Sequence, residues 1–190
     1  MSCCAPCSCG AIVELKEQGV DFCVLFFNPN IYPESEYKKR MDEQIRLCKE
    51  LGVKYVVFGT EKYDKKHLQW RQYVRGLERE QECGRRCAKC FAYRFAFGVK
   101  WAQKNGYNAI SSVFGVSKYK DQTQVDAAAK LGIGYRNLEI ENSNLQPLIS
   151  NLVYLPIKWD ETLQQEMGKK ADLYRQNYCG CEFSMKKALN

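Results

Sequence analysis

Histidine is almost absent from this chain, 1 residue in 190. A single imidazole argues against a His-rich metal site and against a Ser-His nucleophilic relay. Long apolar runs are lacking too, since none approaches the roughly 18 residues of a membrane span, so no membrane partner is expected. The opening Met1-Ser2-Cys3-Cys4 shows no basic segment leading into an apolar stretch, as an export signal would. A reducing cytoplasm is the expected compartment, and there clustered thiols mean metal or redox chemistry more often than structural bridges. Repeats, low-complexity tracts and linkers are missing as well. The chain therefore reads as one domain, 1–190. It can bury roughly 70% of the surface its unfolded form exposes and needs no cross-links to fold.

Cysteine is what the sequence has in excess: 11 residues, about 6%, below a disulfide scaffold but high for a cytosolic enzyme. Cys3, Cys4, Cys7 and Cys9 form one cluster, Cys83, Cys87 and Cys90 a second, and Cys179 and Cys181 flank Gly180. Cys23 lies in the apolar run Phe22 to Phe27 and Cys48 on a helical pattern with Ile45 and Leu51, so both read as small core hydrophobes.

Hydrophobic periodicity predicts a helix over 11–18 that starts at the first Cys cluster and ends at Gly19, then a buried strand over 22–27. A proline-broken loop follows, Asn28-Pro29-Asn30-Ile31-Tyr32-Pro33. An amphipathic helix over 34–50, a strand over 55–58, helices over 64–80 and 84–104, a strand near 109–114, a helix near 121–131 and an apolar run over 152–155 complete the plan. Strands alternating with helices imply an α/β fold with a parallel sheet covered on both faces. One part is short. Chemistry at the end of a first strand needs four to six apolar residues before the first helix, and only Met1 and Ser2 precede Cys3. Either that strand is very short or the natural chain begins upstream.

The formal charge of +7 is concentrated in two cysteine-bearing segments, with a balance of +6 over 71–104 and +3 over 169–190. A polyanion drawn to Arg71, Arg75, Arg79, Arg85, Arg86, Lys89 and Arg94 would arrive at the second Cys cluster, which suits a nucleic-acid substrate. The competing reading makes Arg71, Arg75 and Arg79, spaced by four, a solvated helix face.

Each thiol cluster admits more than one chemistry. Cys4-Ala5-Pro6-Cys7 has the spacing of a redox dithiol at a helix N-terminus, where free amides stabilise a thiolate. The same crowding, with Cys3 adjacent, suits zinc or an iron-sulfur cluster. Cys83-x3-Cys87-x2-Cys90 has the spacing of radical S-adenosylmethionine enzymes, but it opens a helix midway along a short chain. A Cys87-Cys90 pair completing a cluster with N-terminal thiols fits better, and a structural Cys4 zinc site is the rival. Cys179-Gly180-Cys181 can close a strained, labile disulfide or bind metal.

Taken together, Cys3-Cys4-Ala5-Pro6-Cys7, Asn28-Pro29-Asn30-Ile31-Tyr32-Pro33-x2-Glu36-Tyr37-x2-Arg40, Arg86-Cys87-x2-Cys90-Phe91-x2-Arg94, Ser111-Ser112 and Tyr174-Arg175-Gln176-x-Tyr178-Cys179-Gly180-Cys181-x-Phe183-Ser184 resemble the QueH family. These are cobalamin-independent epoxyqueuosine reductases. The resemblance implies a Rossmann-like fold of the adenine nucleotide alpha hydrolase-like type with a helical cysteine-bearing portion. It also implies that Cys3, Cys4, Cys87 and Cys90 hold a [4Fe-4S] cluster, that Cys179 and Cys181 form a redox-active pair, and that Cys7 binds an additional mononuclear iron. The implied substrate is epoxyqueuosine at the wobble position of tRNA with a GUN anticodon, and an electron donor protein or reductant is the further partner. Tyr32, Glu36, Tyr37 and Arg40 are candidate proton donors or ring clamps, with packing and a surface i,i+4 pair as the alternatives. Three departures stand out: the missing leading strand, Cys83 where the family usually has Gly, and a poor match to a Lys-Gly-Gly-x-x-Arg stretch over 159–170. Two other functions compete. An iron-sulfur tRNA thiolase needs a Ser-Gly-Gly-type pyrophosphate loop, whose place Cys-Cys-Ala-Pro-Cys occupies; the other is a zinc-stabilised RNA-binding module without catalysis.

Overall fold

The computed structural model describes the backbone of residues 1–141, 152–157 and 160–188, with side chains to 134 in the fifth helix and to 185 in the last. The elements run α1 (Ala5–Glu17), β1 (Cys23–Phe27), α2 (Glu34–Glu50), β2 (Lys54–Phe58), α3 (Tyr63–Tyr73), α4 (Arg85–Lys104), β3 (Ala109–Ile110), α5 (Gln122–Glu141), β4 (Val153–Tyr154), α6 (Glu161–Lys170) and α7 (Glu182–Ala188). β1 pairs with β2 and β3 with β4, both parallel. Among the described residues the protein is thus an α/β fold with two small parallel sheets.

Met1 and Ser2 lie between those sheets. Ser2 N–H donates to the Leu25 carbonyl at 2.9 Å and bridges Phe26 in parallel, while Val113 N–H donates to the Met1 carbonyl at 3.1 Å. Two residues therefore stand in for the short first strand, and Cys3 and Cys4 follow directly. α1 begins six residues earlier than the periodicity predicts, because its first half is enclosed on every side by small residues from Ala5 to Ala11 and so shows no apolar stripe. Gly10 is one reason: a Cβ there would meet the Gln164 backbone of α6 at 3.1 Å.

α2 has the predicted limits. α3 stops at Tyr73, short of the predicted 80, and Gly76 at φ +83° turns the chain away. Arg75 and Arg79 consequently stand in the following turn and do not share a helix face with Arg71. β3 is two residues long, Phe114–Val116 is a 3-10 turn, and α5 runs well past the predicted 131. The helices at Glu161 and Glu182, ten and seven residues long, escape a sequence reading. Residues 142–151 and 158–159 lie outside the described set, as does the first part of the poorly matched 159–170 stretch.

Two cores result. Phe91, Phe95 and Val99 of α4 pack on Phe114, Val125, Ala129 and Leu152, and Cys3, Cys4 and Cys7 join them. Ala5, Cys9, Ile12, Val24, Leu47, Cys48 and Leu173 form the other. Cys48 is fully buried there, as expected of a core residue, and Cys23 is half-buried. Cys48→Ser should cost about 1–2 kcal/mol, the penalty of a buried hydroxyl, in chemical denaturation of the anaerobic protein. Its metal content should not change, because Cys3, Cys4, Cys7, Cys87 and Cys90 all lie outside this core.

Candidate metal and redox site

Beyond the end of β1, three cysteine-bearing segments come together. Cys3, Cys4 and Cys7 are buried, and their sulfurs all lie within 4.8 Å of one another, so this triad could hold a metal. The Cys3 and Cys4 sulfurs are 3.9 Å apart. Soft thiolates packed this closely suit iron, an iron-sulfur cluster or zinc, and not magnesium or calcium. Cys4 is the N-cap of α1 and Cys7 sits in its first turn, where unpaired backbone N–H groups favour thiolate.

Cys87 and Cys90, on the first two turns of α4, line a narrow pocket with Cys179 and Cys181, Asn30, Phe91 and the guanidiniums of Arg86 and Arg94. Cys87 also packs against the core that contains the triad. Cys7, and not Cys87 or Cys90, is thus the third member of the close group around Cys3 and Cys4. Cys83 is exposed and takes no part. Cys9 is buried in the other core and contacts the Gln164 carbonyl.

The triad shares protons unequally. Hydrogen bonds from Cys4 and then Cys7 hold the Cys3 thiol well below its ordinary range. The same contacts push Cys4 up to about 12 and Cys7 upward as well. Half-buried Lys120 donates to the Cys3 sulfur at 3.3 Å. Burial opposes the charge of Lys120, but Cys3, Cys179 and Cys7 outweigh it and raise its pKa. Burial pushes Cys87 and Cys181 up to about 12 and raises Cys90, which Arg94 and the Trp70 indole partly offset. Metal binding here must expel protons.

The loop that carries Cys179 and Cys181 is held by its backbone. Ile31 forms an antiparallel bridge with Cys181, and Tyr32 N–H donates to the Gly180 carbonyl at 2.9 Å. Arg40, only 2% exposed, donates to the carbonyls of Cys179 at 3.2 Å and Tyr178 at 3.3 Å. Its Nε donates to Glu36 at 2.6 Å, and Tyr174 O–H donates to the same carboxylate at 2.9 Å. Glu36 and Arg40 are therefore a buried clamp and not a surface pair. Tyr37 donates to the Phe58 carbonyl at 2.8 Å inside the core, which is a packing role. Tyr32 stacks on His67 at the surface. Gln176, which sequence reasoning left unassigned, donates to the Cys4 sulfur at 2.9 Å.

The basic set divides in two. Arg86 and Arg94 are buried: Arg86 donates to the carbonyls of Leu77, Glu78 and Glu80, and Arg94 to Phe27 and Asn28. Neither is free to meet a phosphate. Arg71 pairs with Glu182 and Arg85 with Glu80, whereas Arg75, Arg79 and Lys89 are exposed.

Fold and site define an α/β protein with a buried thiol cluster able to hold a metal. A family model described as epoxyqueuosine reductase QueH matches residues 1–187. The epoxyqueuosine reductase QueH of Histophilus somni is 33% identical over 189 residues, covering 97% of this chain and 70% of that protein. That of Haemophilus influenzae is 32% identical with the same coverage, and that of Acinetobacter baylyi 31% identical, covering 97% of this chain and 78% of its own length. The chain belongs to the QueH family.

Gly180 tests the clamp. It sits at φ +99°, and a Cβ there would lie 2.7 Å from the Arg40 guanidinium. Gly180→Ala should destabilise the protein by about 1–3 kcal/mol, the range for backbone strain, in anaerobic denaturation. Gly19→Ala, at φ +69° in open space, should cost less, and equal losses would show that Arg40 yields freely.

Proposed function

We propose that this chain is a tRNA-modifying reductase that converts epoxyqueuosine to queuosine at the wobble position of tRNA with a GUN anticodon, the last step of queuosine biosynthesis. Membership of the QueH family supports the reading, and one observation carries it: the buried triad of Cys3, Cys4 and Cys7 shares its core with Cys87, which lines one pocket with Cys90, Cys179, Cys181 and the buried Arg86 and Arg94. On this reading Cys3, Cys4, Cys87 and Cys90 hold a [4Fe-4S] cluster and Cys7 an additional iron. The soft donor set, and the packing of Cys87 against the core of the triad, favour it. When bound, such a centre passes electrons singly and supplies an electrophilic iron to an oxygen.

Cys179 and Cys181 are the proposed two-electron store. Opening an epoxide to an alkene with loss of its oxygen as water consumes two electrons and two protons. Two thiols closing to one disulfide release the same number of each, and a reductant or donor protein then reopens the bond. One intervening glycine makes that disulfide strained and easily reduced. Arg40 orients the loop through its carbonyls, and Lys120 lies against Cys3 with its charge felt by Cys179.

The proposed architecture is Rossmann-like, one domain over 1–190. Counting Met1–Ser2 as the first strand, the backbone hydrogen bonds support the strand order 3-2-1-4-5 of a doubly wound sheet, with ligands at the carboxyl ends of the strands. Among the described residues no helix is long and apolar enough to cross a membrane. A tRNA substrate places the protein in the cytoplasm.

Anaerobically purified protein should be brown and contain iron with acid-labile sulfide; stoichiometric zinc without sulfide would favour the RNA-binding module. The Cys179→Ser, Cys181→Ser double variant should keep its iron and sulfide but fail to convert epoxyqueuosine over multiple turnovers. Bleaching of that variant would make both residues ligands.

Affinity for tRNA should fall with rising salt. Replacing Arg75, Arg79 and Lys89 with Gln should flatten the log-log slope by about one unit for each phosphate that the variant no longer neutralises. An unchanged slope would assign the phosphate contacts to another face.

A further inference from the structure

The narrow thiol pocket is lined by two residues whose polar groups no described residue partners. Asn30 is 3% exposed, and among the described residues nothing donates to its Oδ1. Arg86 is 2% exposed, and among the described residues nothing accepts from its Nε–H. Both side chains line the pocket together with Cys87, Cys90, Cys179 and Cys181. A buried polar group without a partner costs about 1–3 kcal/mol, so two in one small pocket call for an explanation.

The neighbouring positions of the Asn30 loop are bonded. Asn28, two residues before, uses both ends of its amide: Oδ1 accepts from Arg94, and Nδ2 donates to the Ser2 carbonyl at 3.0 Å. The Pro29 carbonyl meets His67 Nδ1 at 2.8 Å, and Ile31 bridges Cys181. Arg86 spends Nη1 on the turn before α4. Its Nε is left without an acceptor among the described residues.

One orphan is an acceptor and the other a donor. A carboxylate would satisfy Arg86 but meet the Asn30 oxygen unfavourably, and an ammonium would do the reverse. An apolar group would leave both unpaired. An alcohol oxygen donates one hydrogen bond and accepts others. It satisfies both groups at once.

We infer that Asn30 and Arg86 form a hydroxyl subsite beside the thiols, which recognises an alcohol on the alicyclic ring of the substrate and fixes that ring against Cys179 and Cys181. The inference rests on the epoxyqueuosine reading for the identity of the ring, but the demand for an oxygen that both donates and accepts, as that of an alcohol or a water does, comes from the pocket alone. Asn30 is then a specificity residue. Arg86 serves both the subsite and the turn that precedes α4.

Asn30→Ala in the full chain, purified anaerobically with its metal, is the test. Thermal midpoint, iron and sulfide should match wild type, because among the described residues nothing bonds to the amide oxygen. The kcat/KM for epoxyqueuosine in tRNA should fall at least tenfold. In parallel, calorimetric titration with queuine, whose cyclopentenediol carries two alcohols and which undergoes no turnover, should show at least tenfold weaker binding to the variant. Wild-type turnover with neither quantity dependent on Asn30 would overturn the subsite and leave the reductase reading standing. Asn30-dependent queuine binding without wild-type turnover would do the opposite. A fall in midpoint or iron that tracks the loss of activity would make Asn30 a structural residue and overturn the inference as well.

Discussion

The arrangement of the site depends on the buried guanidinium of Arg94. Its Nε donates to the Phe27 carbonyl at 3.3 Å, its Nη2 donates to Asn28 Oδ1, and its face lies 3.6 Å from the centre of the Phe114 ring. Asn28 passes the constraint on by donating to the Ser2 carbonyl at 3.0 Å. Through these contacts the helix that carries Cys87 and Cys90 is tied to the end of β1 and to the residue before Cys3. A lysine could not replace it, since an ammonium lacks the planar fork that directs two donors while its face stacks on a ring. Loss of Arg94 would separate the second thiol cluster from the first.

The same residue exposes an electrostatic imbalance. Arg40, Arg86 and Arg94 are nearly inaccessible, and Lys120 is half-buried beside Cys3. Among the described residues Glu36 is the carboxylate that pairs with this group, and it serves Arg40. Buried cations without counter-charge are costly. Thiols that burial keeps protonated, such as Cys87 and Cys181, do not supply that charge. Thiolates bound to a metal do. Loading of the metal centre and consolidation of the fold around it are therefore expected to be linked, each stabilising the other.

Sequence alone revealed most of what packing periodicity controls and little of what burial on all sides conceals. The limits of α2, the buried β1 and the core role of Cys48 were legible because apolar patterning marks them, whereas Tyr37 stood open between packing and catalysis. The start of α1 was not, since its enclosed first half has no stripe to read. Glu36 and Arg40 look like any exposed helical ion pair until the Cys179–Cys181 loop, 139 residues on from Arg40 to its nearer end, folds over them. The basic stretch misled for the reverse reason: its count of arginines was right, but two of them are structural and Gly76 breaks the helix that was to align the others. The unpartnered groups of Asn30 and Arg86 leave no trace in spacing at all.

The way the 178–181 loop is anchored fits the proposed chemistry of its thiols. Arg40, Ile31 and Tyr32 all bind backbone atoms of this segment, and Tyr178 O–H donates to the Tyr32 carbonyl at 2.6 Å. In a reductase whose dithiol must close and reopen in each turnover, anchors made to the sulfurs would break with every change of oxidation state. Anchors made to carbonyls and amides persist through the cycle. The clamp can then hold Cys179 and Cys181 against the pocket they line while their sulfurs alone rearrange, so the proposed two-electron chemistry is confined to one bond and the proposed metal-binding cysteines, at the start of α1 and on α4, keep their places.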